Sequence, residues 1–430
     1  MAEVYDRWHL SRPQSGAEPC AEHASKTRVL VPSSDHGQGK RWQVRYRDAK
    51  GQQRKENFER RADADRRAAA VETDLNRGEF VDRAAGKETL RSYAEKWRAT
   101  AVHRETTSDG VERSLRLHIY PILGDRPLAA IRRSDIQSWV KDRQQVLKPS
   151  TLRTTYSRLV TIFRTALHDG VIRTNPCDGV KLPPARKPEI VLLSSAAVHA
   201  LTAAAPEHYR ALILLAAASG LRQGELFGLE QGHIDFLRRT VKVNQQLVGP
   251  DRGVPYIGKP KTHESYRTVP LARVAVDAVA AHLAAFPAQG VVIEDRTDPR
   301  KPHMRTAMLI FPSERNEPVR RSNWSRVWGH ILDRANEALE EPVPVGSTMH
   351  DLRHFYASAL IKGGESVKTV QKRLGHSKPS ITLDIYTHLW PDGEDTTAAA
   401  VEATLGPSAL VVPSSKINPV NQQVRDASQQ

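Results

Sequence analysis

The residues best suited to chemistry lie between His350 and Tyr386, in the run HDLRHFYASALIKGGESVKTVQKRLGHSKPSITLDIY. His350 and Arg353 stand at i and i+3, so a helix carries both on one face. His376 follows Leu374-Gly375, a pair that predicts a helix stop. Tyr386 comes ten residues later, in a segment whose apolar positions Ile381, Leu383 and Ile385 fit a helix and a strand alike. Two imidazoles, a guanidinium and a phenol make a phosphate-handling set with a nucleophile attached. Arginine grips phosphate oxygens in bidentate fashion and stays charged. Imidazole exchanges protons near neutral pH, and a tyrosine oxygen can attack phosphorus and hold it covalently.

A chain of 430 residues can build two or three domains with real cores. The 64 Lys and Arg outnumber the 49 Asp and Glu, a net charge of +15 that suits a polyanionic partner. Cys20 and Cys177 are far apart and lack metal-ligand spacing, which argues against a disulfide framework or a zinc site and fits a reducing compartment. The N-terminus has no apolar core of a secretion signal, and no apolar run approaches the ~20 residues that span a bilayer.

The elements that must position the reactive residues follow from pattern. Residues 1–38 are polar and irregular, and are expected to be mostly disordered. RWQVRYRD and QQRKENFE flank Asp48-Ala49-Lys50-Gly51, a hairpin turn. Trp42, Val44 and Tyr46 alternate with Arg41, Arg45 and Arg47, giving one apolar and one cationic face. Nine Lys or Arg against three acids between Lys40 and Arg61 fit either a DNA-reading sheet or a solvated hairpin. A helix is predicted over Arg61 to Asn76, closed by Gly78. From Thr89 to about Pro184 the pattern is helical. Thr89 is the expected N-cap of a helix that keeps Leu90, Tyr93, Ala94 and Trp97 on one face, and a later helix carries Leu152, Tyr156, Leu159, Phe163, Ala166 and Leu167 at helical spacing up to Gly170. Its polar face carries Thr154, Ser157, Arg158 and Arg164, a mixture of hydroxyls and guanidinium groups that suits backbone phosphate contacts, an exposed helix face being the default alternative. Pro183-Pro184 and Pro188 mark a linker. Beyond it an apolar helix through Leu212–Leu215 stops at Ser219-Gly220. That places Arg222 at a junction beside buried structure, where Glu225 can partner it. Strands are expected over Arg239–Leu247 and Arg267–Leu271.

The closing stretch, in order and spacing, resembles the final motif of the tyrosine recombinases, the phage integrase family. ASGLRQGELFGL resembles the motif that carries this family's first arginine, here Arg222, with Glu225 in support. GKPKTHESYRTVPL resembles its β-hairpin lysine motif and assigns the lysine to Lys261, with Lys259 two residues away as competitor. The resemblance covers roughly residues 40–395 and implies a catalytic set of Arg222, Lys261, His350, Arg353, His376 and Tyr386. In it Tyr386 is the nucleophile, His350 assists as base, Lys261 protonates the leaving 5′ oxygen and His376 bonds the scissile phosphate. A 3′-phosphotyrosyl link stores the bond energy, so no cofactor and no metal is expected.

The implied fold is multidomain and mainly α. It comprises a disordered segment (1–38), an arm-type DNA-binding domain of small sheet plus helix (39–84) and a helical core-binding domain (85–182). A linker (183–188), a mixed α+β catalytic domain (189–393) and a tail with a trans-packing helix (394–430) follow. Arg45, Arg47, Lys50, Lys55, Ser150, Thr151, Arg153 and Arg158 are the expected DNA contacts. The expected function is site-specific integration and excision of a phage or mobile element. The implied partners are double-stranded attachment sites, three further copies in a homotetramer on two paired sites, an excisionase and a host DNA-bending protein. The expected location is the bacterial cytoplasm, on DNA and without a membrane. The competing readings are a dimer-resolving recombinase, a type IB topoisomerase and a non-catalytic DNA-binding regulator. The hairpin domain argues against the first two and the complete six-residue set against the third.

Overall fold

The structure is a computed structural model. It describes all residues except 1, 26, 28, 49–50, 77–84, 185–189, 191, 251–252, 390–400, 402–403 and 405–430. The chain divides into two compact units, Met1–Glu189 with Gly249–Val254 and Ile190–Val248 with Pro255–Gln430.

The first unit opens with a three-stranded antiparallel sheet in which β1 (Glu3–Asp6) lies beside β2 (Trp42–Arg47), and β2 beside β3 (Gln53–Phe58). Helix α1 (Arg61–Asn76) covers the face bearing Val44 and Tyr46, burying them with Ala64, Ala68 and Val71. The expectation that residues 1–38 are mostly disordered is corrected. Val4 packs against this core, and the loop that follows β1 returns through a His9–Pro32 bridge with Leu30 and Val31 buried. The polar composition concealed this, because the segment is held in part by side-chain bonds and by backbone bonds between residues distant in sequence. The expected stop at Gly78 lies outside the described residues.

The helical part runs through α2 (Leu90–Thr100), α3 (Glu105–Ser114), a wider π-helical continuation (Leu115–Gly124), α4 (Arg133–Arg143) and α5 (Pro149–His168). Thr89 caps α2 by accepting from the Ser92 N–H. Leu152, Leu159, Ile162 and Phe163 form the buried stripe of α5, each worth about 1.5–3 kcal/mol of burial.

The second unit starts with α6 (Ser195–Ala204), capped by Ser194, and α7 (Glu207–Ser219), then α8 (Gln223–Phe227). Two small sheets follow. One has the order β4 (Ile234–Asp235), β5 (Thr240–Val243), β8 (Arg267–Pro270). The other has the order β10 (His303–Ala307), β9 (Val291–Arg296), β7 (Tyr256–Gly258), β6 (Gln246–Val248). The single strand expected over Arg239–Leu247 is therefore two strands in different sheets. Gln245 breaks it: its buried amide donates to the Gly228 carbonyl at 2.7 Å and to Glu230 Oε1 at 2.9 Å, turning the chain between β5 and β6. Helices α9 (Arg273–Ala285), α10 (Arg321–Asn336), α11 (Met349–Lys362), α12 (Val367–Leu374) and α13 (Pro379–Tyr386) complete the unit. The segment around Ile381–Ile385, ambiguous by pattern, is helix. The expected trans-packing helix lies almost wholly outside the described residues.

Candidate active site

The site is organised by two helix ends. Helix α7 stops at Gly220 (φ 62°) and α12 at Gly375 (φ 65°), both left-handed. Neither position has room for a side chain: a Cβ on Gly220 would meet the Tyr356 ring at 2.4 Å, and one on Gly375 the Glu264 carbonyl at 2.9 Å. A helix leaves its last carbonyls without intrahelical donors and carries partial negative charge there. At the end of α12 three guanidinium groups supply the donors. Arg267 Nε donates to the Arg373 carbonyl (2.7 Å), Arg353 Nη2 to Leu374 (2.5 Å) and Arg222 Nη2 to Gly375 (3.0 Å). Arg353 also donates through Nη1 to the Gly220 carbonyl at 2.5 Å, so it ties the two helix ends together.

Glu225 balances this charge. Its carboxylate, 1% exposed, accepts from Arg267 Nη1 and Nη2 (3.1 and 2.8 Å) and from Arg222 Nη1 (2.9 Å). It also closes the start of α8 by accepting from the Arg222 backbone N–H at 2.9 Å. Burial alone would raise its pKa, but the Arg267 charge and hydrogen bonds, with Arg222, pull it below the usual carboxylate range. Ser265 completes the frame. Its Oγ accepts from Arg222 at 3.0 Å and lies 3.0 Å from Thr262 Oγ1. Lys261, the residue before Thr262, is exposed on the loop between β7 and β8.

His350, Arg353 and His354 project from the first turns of α11, whose N-cap Thr348 forms a capping box with Asp351. Burial, His354, Arg353 and Arg222 push His350 down to about 4. Burial and the surrounding Arg353, Arg222 and His350 push His376 down to about 3. Both imidazoles are neutral at pH 7. His376 Nδ1 lies 2.9 Å from Thr382 Oγ1, a bond that fixes the ring against α13. Tyr386, at the end of α13 and 1% exposed, is pushed up to about 12 by burial, with Arg353 opposing. Arg353 is pushed down to about 9 by burial and by Arg222, and remains cationic at neutral pH. The mutual influence of Arg222, Arg353, His350, His376 and Tyr386 puts five of the six expected residues in one electrostatic neighbourhood.

Four contributors escaped the sequence reading: Arg267, Ser265, Thr382 and His354. The last changes the proton chemistry. Tyr386 Oη lies 2.7 Å from His354 Nδ1, whereas His350 stacks edge-on against His354 at 4.9 Å between centroids. Among the described residues, His354 rather than His350 is the imidazole bonded to the phenol. The signal was present: His354 is one helical turn beyond His350. Arg267 was visible only as the first residue of a strand, although a guanidinium there must find acceptors when buried.

The expected DNA contacts separate into groups. Arg45 and Lys55 are exposed and directly opposite across β2 and β3, on the face away from α1, with Arg47 exposed on the same face. Ser150, Thr151 and Arg153 are exposed at the start of α5, where Arg153 donates to the Pro183 carbonyl at 2.8 Å. Arg158 points inward instead, its guanidinium bonded to the Gly110 carbonyl and Ser114 Oγ of α3. It holds two helices together, which corrects its placement among the surface cations. Lys50 lies outside the described residues.

Residues 191–392 match the phage integrase family and residues 87–182 the phage integrase central domain. A tyrosine recombinase XerC-like protein of Caldanaerobacter subterraneus subsp. tengcongensis is 30% identical over 291 residues, 61% of this chain and 69% of that relative. The integrase of Mycobacterium phage FRAT1 is 26% identical over 302 residues, 70% and 84% of the two chains. Among solved structures, the integrase of transposon Tn1549 in complex with a circular intermediate DNA has a TM-score of 0.62 at 24% identity, covering 74% of this chain and 99% of that one. The chain belongs to the phage integrase family of tyrosine recombinases. It is a site-specific recombinase, an enzyme that breaks and rejoins DNA strands.

Proposed function

We propose that Tyr386 is the nucleophile of this recombinase and that Arg222, Arg353, His350, His376 and Lys261 act with it on the scissile phosphate. The observation that carries this reading is the gathering of two arginines, three imidazoles and one buried phenol around the ends of α7 and α12, with the phenol already on an imidazole at 2.7 Å. Attack by Tyr386 Oη forms an O–P bond and breaks the bond from phosphorus to the 5′ oxygen, leaving a 3′-phosphotyrosyl link. The phenol proton passes to His354 Nδ1, and the departing 5′ oxygen takes a proton from Lys261. Charge accumulating on the non-bridging oxygens meets guanidinium groups already fixed by helix carbonyls and Glu225, so little reorganisation is needed; loss of one such donor typically costs ~10²–10³ in rate. A Thr382 hydroxyl donating to His376 Nδ1 leaves Nε2–H as a further donor to the phosphate. A 5′ hydroxyl from another strand reverses the step and completes exchange.

The partner is double-stranded DNA bearing attachment sites, bound by four copies on two paired sites, and the outcome is integration and excision of a phage or mobile element in a bacterial cytoplasm. An excisionase and a host DNA-bending protein set the direction. The phage and transposon relatives support this assignment, as does the excess of Lys and Arg. Among the described residues no helix is long and apolar enough to cross a membrane. The test is incubation with a nicked suicide DNA carrying a candidate site, followed by peptide mapping of the covalent adduct. Tyr386→Phe is expected to abolish the adduct and leave DNA binding intact. An adduct on another residue, or one formed by Tyr386→Phe, refutes the assignment.

A further inference from the structure

Outside the matched regions, the loop after β1 gathers four metal-ligating side chains. The donor atoms of His9, Cys20, His23 and His36 all lie within 4.8 Å of one another, the only such group found among the described residues. Cys20 Sγ is 3.5 Å from His23 Nδ1 and 3.2 Å from His36 Nε2, and those two nitrogens are 3.3 Å apart. Zinc bonds of about 2.0–2.1 Å to nitrogen and about 2.3 Å to sulfur in a tetrahedron place neighbouring donors about 3.3–3.6 Å apart. The three imidazoles are arranged symmetrically, with centroids pairwise 5.1–5.3 Å apart and planes at 73–76°.

A second observation is independent of the cluster's shape. His9 is 2% exposed, and its Nδ1 is held 2.9 Å from Asp6 Oδ2. That leaves Nε2 as the inward nitrogen, buried and without a hydrogen-bond partner among the described residues. Metal-bound histidines characteristically bond a carboxylate through the nitrogen that does not bind metal, which fixes ring and tautomer. Arg41 bonds the same Asp6 carboxylate at 2.8–3.2 Å and approaches His9 Nδ1 at 3.4 Å, so a neutralised carboxylate stands between that cation and the cluster. Proton sharing could satisfy the Cys20, His23 and His36 atoms among themselves, but it leaves His9 Nε2 orphaned. One central cation satisfies all four lone pairs together.

We propose that His9, Cys20, His23 and His36 bind one zinc ion, with Asp6 orienting His9. Thiolate with imidazole selects zinc among the common divalent ions, and four protein ligands leave no open position, so the role is structural. The need is plain in the packing. Among the described residues the sheet and α1 fully bury five apolar side chains together, with Val4, Trp42, Phe58 and Leu75 partly buried against them, and domains with a core this small usually add a staple. Besides the four donors, the loop from residue 9 to 36 is held by backbone bonds, Leu10 N–H to Val31 O (2.9 Å), Cys20 N–H to Leu30 O (2.7 Å) and Ser33 N–H to Trp8 O (2.9 Å), by the Ser33 hydroxyl on the Arg7 carbonyl and by Arg7 on Asp35. Cys20-x-x-His23 with His9 and His36 on either side has no second cysteine, so the set lacks the paired-cysteine spacing by which zinc sites are legible in a sequence.

The test uses the full chain, free of any histidine tag and grown with zinc, with metal measured by plasma mass spectrometry after gel filtration. One zinc per chain is expected for wild type and for Cys177→Ser, and none for the Cys20→Ser/His36→Ala double variant. Asp6→Asn is expected to weaken zinc binding about 10–100-fold. Because the double variant can fail by unfolding, wild type supplies a second readout: Cys20 should resist alkylation until a chelator strips the metal and regain protection when zinc alone is returned. Wild-type protein with no stoichiometric zinc, zinc retained by the double variant, or alkylation of Cys20 indifferent to chelation and zinc each overturns the proposal.

Discussion

Replacing Glu225 by Gln tests whether the arginine frame depends on one buried carboxylate. The side chain keeps its volume and loses its charge, so Arg267, whose side chain is 3% exposed, is left with backbone acceptors and no counter-ion. Breaking a buried ion pair from one side costs about 3–5 kcal/mol. An amide oxygen can still accept one of the guanidinium bonds, which puts the expected loss near the lower figure. About 3 kcal/mol is a factor of roughly 150 in the folding equilibrium, and for a unit of this size it lowers the melting temperature by about 6–12 °C. The pH dependence has a definite sign. The folded pKa of Glu225 lies below its unfolded value of about 4.3. Its stabilisation is therefore fully present above that unfolded value and is lost as pH falls through the depressed folded one. Melting curves of wild type and Glu225→Gln should be well separated at pH 7 and converge in acid. Arg222 loses one of its three anchors in the same variant, so cleavage of suicide DNA should also slow at temperatures where the variant is folded. If Glu225→Gln melts within a degree of wild type at pH 7, the carboxylate does not neutralise the frame and the electrostatic account of the site fails.

Two further outcomes follow from the geometry. His354→Ala removes the imidazole bonded to Tyr386, so cleavage should fall at neutral pH and the deficit should narrow as the solution becomes more alkaline, where a phenol of pKa about 12 ionises more readily unaided; a deficit independent of pH, or a larger neutral-pH effect from His350→Ala alone, would return the base role to His350. Gly375→Ala places a Cβ on a left-handed residue and 2.9 Å from a backbone carbonyl that cannot step aside; left-handed strain alone is roughly 1–2 kcal/mol, so calorimetry should find at least that loss, and an unchanged melting temperature would show that the α12 terminus tolerates a different path.

The proposed reactive positions stood out in the sequence because their spacing is helical and their types are rare in combination: His350 and Arg353 share a face, and Gly220 and Gly375 announce the helix ends around which the structure gathers them. What was not legible depends on distance along the chain. Arg267 meets Glu225 across 42 residues and Arg222 meets Gly375 across 153, so no local pattern could reveal that one carboxylate and one helix end hold three guanidinium groups. The division of residues 239–248 between two sheets was hidden for a related reason, since it depends on where the buried Gln245 amide finds its acceptors. The N-terminal segment misled by composition. Polar side chains signal disorder only when they lack partners, and Asp6, His9, Arg41 and Asp35 have them.

The second unit keeps several cations close together in the folded chain by dividing their compensation between one carboxylate and a set of backbone carbonyls. Three guanidinium groups repel one another, and a single carboxylate cannot cancel them. The remaining compensation comes from backbone: carbonyls of Arg373, Leu374 and Gly375, and of Gly220, each presented by a terminated helix. Carbonyl dipoles fix the direction of each guanidinium without cancelling its full charge, so the site remains net positive while its donors stay aimed. Burial first, and the neighbouring arginine charges in the same direction, drive His350 and His376 far below the usual imidazole range, so both remain neutral hydrogen-bonding groups at physiological pH. A site built from free surface arginines would have to order long side chains during the reaction. Here that ordering is complete in the folded chain, and the side chain of Arg222, 25% exposed, is the member of the trio left most open to an incoming anion.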